Sequence, residues 1–462
     1  MRTMKRVAAV ALSVVVLMTS GVSAKAAVTD VQPAKSSSEA VLKWAKKVGE
    51  PFDEKTYANN TVSKIKLVGN YLYVADDAKH RIMKIDKKDG TILKEQKYYD
   101  ESYIQGYVSS IGYGDGKVYV GYDNGRVQAF DENTLESVWI TDENKNAINA
   151  DFVFTNGKLY FGTTAKTTDW YDNGAPFSYY VVTTSDDDKT KPDEEKTMKK
   201  VVESKTGKFY LKKGVVLGKY IVISDTAGTL TMIDTTNDKV TDTKDIGEAF
   251  SGNITYDEMT GTIYFVAGTN DLYGIKVSAD GKLKDEKKVR LYETGYSATT
   301  PEVYNGKVYV SGSKGKAFQD KGYMAVADVS SDKYKVNYTV ELSNYSQCEP
   351  TIVKTGEDSV RVYFTINDEP GGIYAIEDSK DATSATLETV YEPTGDIKNT
   401  GCMSNVVVDE DGTIYFANDS KYIMSVGKKV EDTTKSDAIV VKPVTKTVKS
   451  ERSVKLTWKK NK

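Results

Sequence analysis

The sequence predicts an all-β protein: an eight-bladed β-propeller of four-stranded antiparallel blades. Three observations predict it. A short phrase recurs at near-constant spacing, each recurrence resolves into short strands joined by tight turns, and the two ends of the repeat region supply complementary parts of one blade.

The phrase is an Asn-Gly or Asp-Gly turn followed by alternating β-branched and aromatic residues, with tyrosine in a fixed place. It runs Gly116 to Gly121 around Tyr119, Gly157 to Gly162 around Tyr160, Gly261 to Phe265 around Tyr264, Gly306 to Val310 around Tyr309, and Gly412 to Phe416 around Tyr415. Weaker copies are centred on Tyr73, on Ile221 and on Tyr363. From Tyr73 to Tyr415 the spacing is about 49 residues per unit, which belongs to propellers and solenoids.

The flanks supply the other strands. A short apolar run such as Asn405 to Val408 precedes each turn, and a third run ends in an acidic residue, as in Met83 to Asp86, Gln128 to Asp131, Thr231 to Asp234 and Tyr374 to Glu377. A more polar fourth strand follows, for example Leu135 to Trp139. The aspartates read as turn formers, because an Asp carboxylate accepts hydrogen bonds from the next backbone N–H groups.

The order of the ends predicts closure. The last unit, Asn405 to about Val430, has three strands, while Val41 to Trp44 stands alone before the first unit and resembles a fourth strand, Trp44 taking the place of Trp139. A ring in which the N-terminal strand completes the last blade leaves no loose edge. Eight blades then fill residues 40–430, seven being the alternative count.

Here the chain resembles a known family. The strand, Gly-Lys-Val-Tyr-Val-Gly, third strand ending in Asp, and fourth strand ending in Trp are similar to PQQ-like repeats, found in quinoprotein dehydrogenases and in non-catalytic propellers; Ser297 to Gly312 matches best. The resemblance implies fold rather than activity. The family's enzymes hold their quinone with adjacent bonded cysteines, a stacking tryptophan and a calcium site. Cys348 and Cys402 are not adjacent, Trp44 and Trp139 are outer-strand residues, Trp458 is in the tail and Trp170 in a loop. No PQQ, other cofactor or metal is therefore expected, and the chain reads as a non-enzymatic member. WD40 repeats differ, since their Gly-His and Trp-Asp dipeptides are absent in register.

Arg2, Lys5 and Arg6, an apolar run from Val7 to Met18 and small residues up to Ala26 have the layout of a cleavable secretory signal, with cleavage expected after Ala26. The apolar run is shorter than the roughly 20 residues a spanning helix needs. Residues 27–39 are expected to form a flexible segment, and the mature protein to be secreted or held at a cell surface with no membrane span. The formal charge is −3; the leader carries four positive charges, which leaves the body at −7. Arginine is sparse and unclustered, so nucleic acid is not an expected partner. Residues 431–462 read as a linker and the start of a module, Ser453 to Trp458 resembling a fibronectin type III strand.

The lone His80 reads as a solvated turn residue, and one histidine with two cysteines assembles neither an ordinary zinc site nor an evident triad. Two carboxylates suffice for glycosidase chemistry, but no spacing singles out a pair. Function is sought instead where the repeat is broken, in loops. Thr163 to Gly174 carries Trp170 and Tyr171, Ser313 to Lys321 carries Phe318, Asn367 to Gly372 is a third irregular loop, and Tyr103, Tyr107, Tyr296 and Tyr345 lie between blades. These aromatics are the candidate ligand-binding residues, because rings give contact area at low entropic cost. The acidic run Asp186 to Glu195 reads as a solvated turn. Cys348 and Cys402 align to the starts of innermost strands in adjacent blades and are a candidate disulfide. The expected role is binding a peptide, glycan or protein partner through the loop face, with a scaffold for envelope assembly, or an extracellular enzyme acting on polysaccharide or an alcohol, as alternatives.

Overall fold

A computed structural model describes residues 32–49, 63–76, 79–99, 111–166, 175–191, 193–210, 212–315, 321–399, 401–402 and 404–429, and the backbone of 445–450 and 453–457. Eight antiparallel blades follow one another in a ring, each starting at its innermost strand. The innermost strands are Lys66–Val68, Ile111–Gly114, Val153–Thr155, Val215–Leu217, Thr255–Asp257, Glu302–Tyr304, Thr351–Lys354 and Val407–Val408. Blade 8 takes its fourth strand from the N-terminus, Ala40–Lys47 pairing antiparallel with Tyr422–Lys428. The expected closure and count of eight are both present. Trp44 Nε1 donates to the Lys87 carbonyl of blade 1, as Trp139 Nε1 of blade 2 donates to Thr184 of blade 3, so the two tryptophans do occupy equivalent places.

The second strands are buried almost throughout, because both faces of every blade pack on a neighbour; Tyr73, Tyr119, Tyr160, Tyr264, Tyr309, Tyr363 and Tyr415 are essentially inaccessible. The repeat tyrosine has a function in the fold. Its hydroxyl reaches the next blade, Tyr73 to the Glu132 carbonyl (2.7 Å), Tyr160 to Asp238 (2.7 Å), Tyr309 to Asp378 (2.7 Å) and Tyr415 to the Lys87 carbonyl (3.2 Å). Tyr264 meets Tyr334 of blade 6, while Tyr119 bonds the Gly114 carbonyl of its own blade. In blade 4 the residue at the tyrosine position is Val222, opposite Val215, while Ile221 pairs with Val216, since Gly218 and Lys219 form the two-residue turn; the weak copy is one residue out of the expected register.

The aspartates close turns as expected: Asp86, Asp131, Asp234 and Asp328 each accept a backbone N–H two residues on. Gly112 and Gly114 give up their side chains to blade 3, since a Cβ at either would meet the ring of Phe152 or Phe154 at under 3 Å.

Two expectations change. The segment before Ala40 is pinned from Gln32 onward: Gln32 donates to the Lys354 carbonyl, Ser37 N to Thr389, Tyr363 to the Ala34 carbonyl and Arg361 to the Lys35 carbonyl. This strap gives Tyr363 the partner that a third-to-fourth-strand turn gives Tyr73, Tyr160 and Tyr415. The acidic run is not merely a solvated turn, because Glu194–Lys196 adds a fifth strand, parallel to Ser137–Thr141, on the outer edge of blade 2. Blade 2 offered an unpaired edge, and the long connection of blade 3 covers it.

Residues 1–428 form one compact unit and 429–462 a second. Within the second, Thr445–Ser450 and Ser453–Thr457 make an antiparallel hairpin.

Candidate channel-mouth site

The innermost strands line the channel in two successive layers. The residue opposite the repeat tyrosine is Lys66, Gly112, Thr255, Glu302 and Thr351 in blades 1, 2, 5, 6 and 7, and valine at 153, 215 and 407. Two residues earlier stand Lys64, Asp151, Lys213, Asn253, Thr300, Glu349 and Asn405; the blade 2 counterpart, Ser110, lies outside the described residues. Every described member of that layer is polar, whereas the layer opposite the tyrosines mixes Lys66, Thr255, Glu302 and Thr351 with Gly112 and three valines.

These side chains converge across the axis. Lys64 Nζ lies 3.6 Å from Asp151 and 3.9 Å from Glu349. Blade 1 is separated from blade 3 by blade 2 and from blade 7 by blade 8, so the pairs span the channel and not a blade interface. Asp151, with Glu349, holds the Lys64 ammonium above its ordinary pKa despite burial. Deeper in, burial together with the Glu349 carboxylate, to which it hydrogen-bonds, pushes Glu302 well up. Burial and the facing charge of Lys213 bring Lys66 down to about 8. Two oxygens, Asp151 Oδ1 and Asn405 Oδ1, are buried with no hydrogen-bond partner.

This cluster, acidic and basic groups sharing a confined lumen, was not singled out by sequence reasoning. Its signal was the recurrence of polar residues two before the position opposite the tyrosine, visible only after the blades are aligned on their ladders.

Of the aromatic candidates, Tyr296 and Tyr345 are half-buried in the connections entering blades 6 and 7. Tyr296 makes a two-hydrogen-bond bridge with Ser313 at the end of a second strand, and the Tyr345 carbonyl accepts Asn367 N at the equivalent place. Blade-to-blade connections and second-to-third-strand loops thus meet on the face where the innermost strands begin. Trp170, Tyr171, Tyr103, Tyr107 and Phe318 lie outside the described residues.

The expected disulfide is not formed. Cys348 and Cys402 are both wholly buried free thiols. Each Sγ turns to a main-chain carbonyl, Cys348 to Glu349 (3.1 Å) and Cys402 to Ala417 (3.5 Å), and the Thr365 hydroxyl packs against the Cys402 carbonyl at 2.8 Å. Burial raises both thiol pKa values. His80 sits in a turn at φ 48, as expected, but it is half-buried rather than solvated, its ring edge-on to Tyr98 and its Nδ1 buried. Among the described residues no helix is long and apolar enough to cross a membrane, and no group of three or more metal-ligating side chains is gathered.

No family model matches the chain, and no curated protein matches it. Solved structures do. BamB from Moraxella catarrhalis aligns over 84% of this chain and 97% of its own, with a TM-score of 0.55 and 12% identity. The quinohemoprotein alcohol dehydrogenase ADHIIG from Pseudomonas putida HK5 aligns over 86% and 78%, with a TM-score of 0.59 and 11% identity. Its counterpart from Comamonas testosteroni gives 84% and 76%, 0.59 and 10%. The chain is an eight-bladed propeller that shares its fold with these proteins, and at these identities the likeness speaks for the fold alone.

Proposed function

We propose that this chain is an exported, non-enzymatic propeller that binds a peptide, glycan or protein partner through the face holding the channel mouth. The observation that carries the reading is the gathering of the mixed-charge layer, the blade-to-blade connections and the irregular loops on that one face. Clasped blades make a rigid platform, which suits recognition by loops on a fixed scaffold. The fold is shared with BamB and with quinohemoprotein alcohol dehydrogenases alike, so the choice of a binding module rests on the loop face and on the sequence rather than on the likeness. Export rests on the N-terminal leader pattern, and N-terminal sequencing of material from the medium or cell surface should begin at Ala27.

Glycan and peptide arrays, with pull-down from a surface extract, test the reading. Trp170→Ala with Tyr171→Ala should weaken capture at least tenfold while leaving the melting temperature unchanged; capture insensitive to both would refute the loop face. A second reading, a scaffold for envelope or multi-protein assembly working through the outer rim, is favoured by one observation: the outer edge of blade 2 accepts a parallel strand from another blade. A stable partner whose capture depends on residues 194–196 and not on the loops would select it.

A further inference from the structure

Charge divides between the two compact units of the chain. Residues 27–462 carry −7, and residues 429–462 contribute +6 to that total, which leaves 27–428 at −13. Eight basic residues fall within 442–462, against one acid, Glu451. The strands described in this unit are those of the hairpin, in which Thr445 pairs with Thr457, Lys446 with Leu456, Thr447 with Lys455 and Val448 with Val454. Alternation along each strand places Lys446, Val448, Val454 and Leu456 on one face and Thr445, Thr447, Lys455 and Thr457 on the other. Lys449 is the extra residue of a bulge beside the turn.

Two strands alone are marginal in water and gain stability from packing on one face. The surface that matches this hairpin is anionic, to meet an excess of lysine, and apolar beneath its charge, to meet Val448, Val454 and Leu456. A soluble anionic polymer supplies the charge without the apolar contact, and the negative charge of the propeller is spread over 402 residues. We propose that the hairpin is a docking element for an anionic phospholipid surface, its lysines drawn to the lipid phosphates and its valine–leucine face laid against the acyl boundary. Basic amphipathic elements bind such surfaces by these two contributions together. The acidic propeller is repelled by the same surface, which confines the contact to the hairpin. This contact holds an exported propeller at a cell surface without a spanning segment, and it does not depend on the loop face.

Cosedimentation of the mature protein with vesicles tests it. Binding to phosphatidylcholine vesicles that contain phosphatidylglycerol should be at least tenfold tighter than to phosphatidylcholine alone. It should fall at least tenfold in about 1 M salt, where charges are screened beyond about 3 Å. Lys446→Gln combined with Lys449→Gln and Lys455→Gln should weaken it at least tenfold, whereas the matching K446R, K449R and K455R chain should keep it. Val454→Ser with Leu456→Ser should weaken it at unchanged charge. Trp170→Ala with Tyr171→Ala, which tests the loop face, should leave vesicle binding unaltered, so the two readings fail separately. Equal binding to both kinds of vesicle, sedimentation with neither, unchanged binding in the glutamine or serine chains, or capture by soluble polyphosphate without capture by vesicles would each overturn the proposal.

Discussion

Lys66 and Lys212 are amines that folding removes from water, and the pH dependence of stability should report them. Burial holds Lys212 at about 7, its ammonium donating to the carbonyls of Phe250 and Gly252, and Lys66 at about 8. An unfolded lysine keeps its proton to about 10.4. Between those values the unfolded chain binds more protons, so stability rises with pH. The displacement at Lys66 is worth on the order of 3 kcal/mol before solvent screening reduces it. Calorimetry should therefore show the melting temperature climbing from pH 7 to about 9.5. Lys66→Met should raise it at pH 7 and flatten the climb; an unaltered slope would show that this amine is solvated. Glu302 acts the other way at lower pH, because its native pKa is raised: its contribution is lost as pH rises from the ordinary carboxyl range through that native value. The cysteines give a second residue-scale test. Denatured, unreduced protein should titrate two thiols, and native protein should react slowly because both are buried and held protonated. Adjacency of two blades was readable in the sequence, but the direction each Sγ takes from its strand was not. A pair aligned by repeat position still turned onto separate carbonyls.

At the scale of the element, the repeat phrase is a clasp. In blade 6 the Lys307 ammonium and the hydroxyls of Tyr309 and Tyr338 all converge on Asp378 of blade 7, at 3.0, 2.7 and 2.5 Å. Asp378 and Lys307 are both buried. Removing the carboxylate strands a buried ammonium, which costs about 3–5 kcal/mol. Asp378→Ala should lower stability by that amount in denaturant titration, whereas Tyr309→Phe, which leaves the ion pair intact, should cost about 1–2 kcal/mol. Equal effects would mean that the hydroxyls, not the ion pair, hold the interface. The position of the tyrosine was plain in the sequence because strands recur with it. Its role was not, because a partner some 60 to 80 residues away leaves no local mark. The same limit explains blade 4, where a turn one residue later moved Val222 into register, and the fifth strand of blade 2, whose acidic sequence matches a solvated loop and whose pairing depends on an open edge in another blade. The channel layer was hidden for a related reason: Lys64, Asp151 and Glu349 are unremarkable in sequence and meet only when the ring closes.

For the whole molecule, closure is the property on which the rest depends. Among the described residues, the strand Ala40–Lys47 is the only fourth strand that arrives from outside its own unit, and it brings with it the strap that caps blade 7 through Ala34 and Lys35. Without residues 1–48, Tyr422–Lys428 becomes an open edge, Tyr363 and the buried Arg361 lose acceptors, and blade 8 loses the Trp44 contact to blade 1. Such a chain should not yield a monomer on size-exclusion chromatography, because an unpaired edge invites strand addition from a second copy. The ladder shows how to separate closure from the strap. Ala40 pairs with Lys428, so a tight turn can join Lys428 directly to Ala40 in a permutant that begins at Ser63 and ends at Gly49. That permutant restores the fourth strand and lacks the strap. It should be monomeric, with native-like circular dichroism and a melting temperature below that of the parent by the strap's share. If it instead aggregates like the truncation, the strap on blade 7, and not strand closure, governs assembly of the ring.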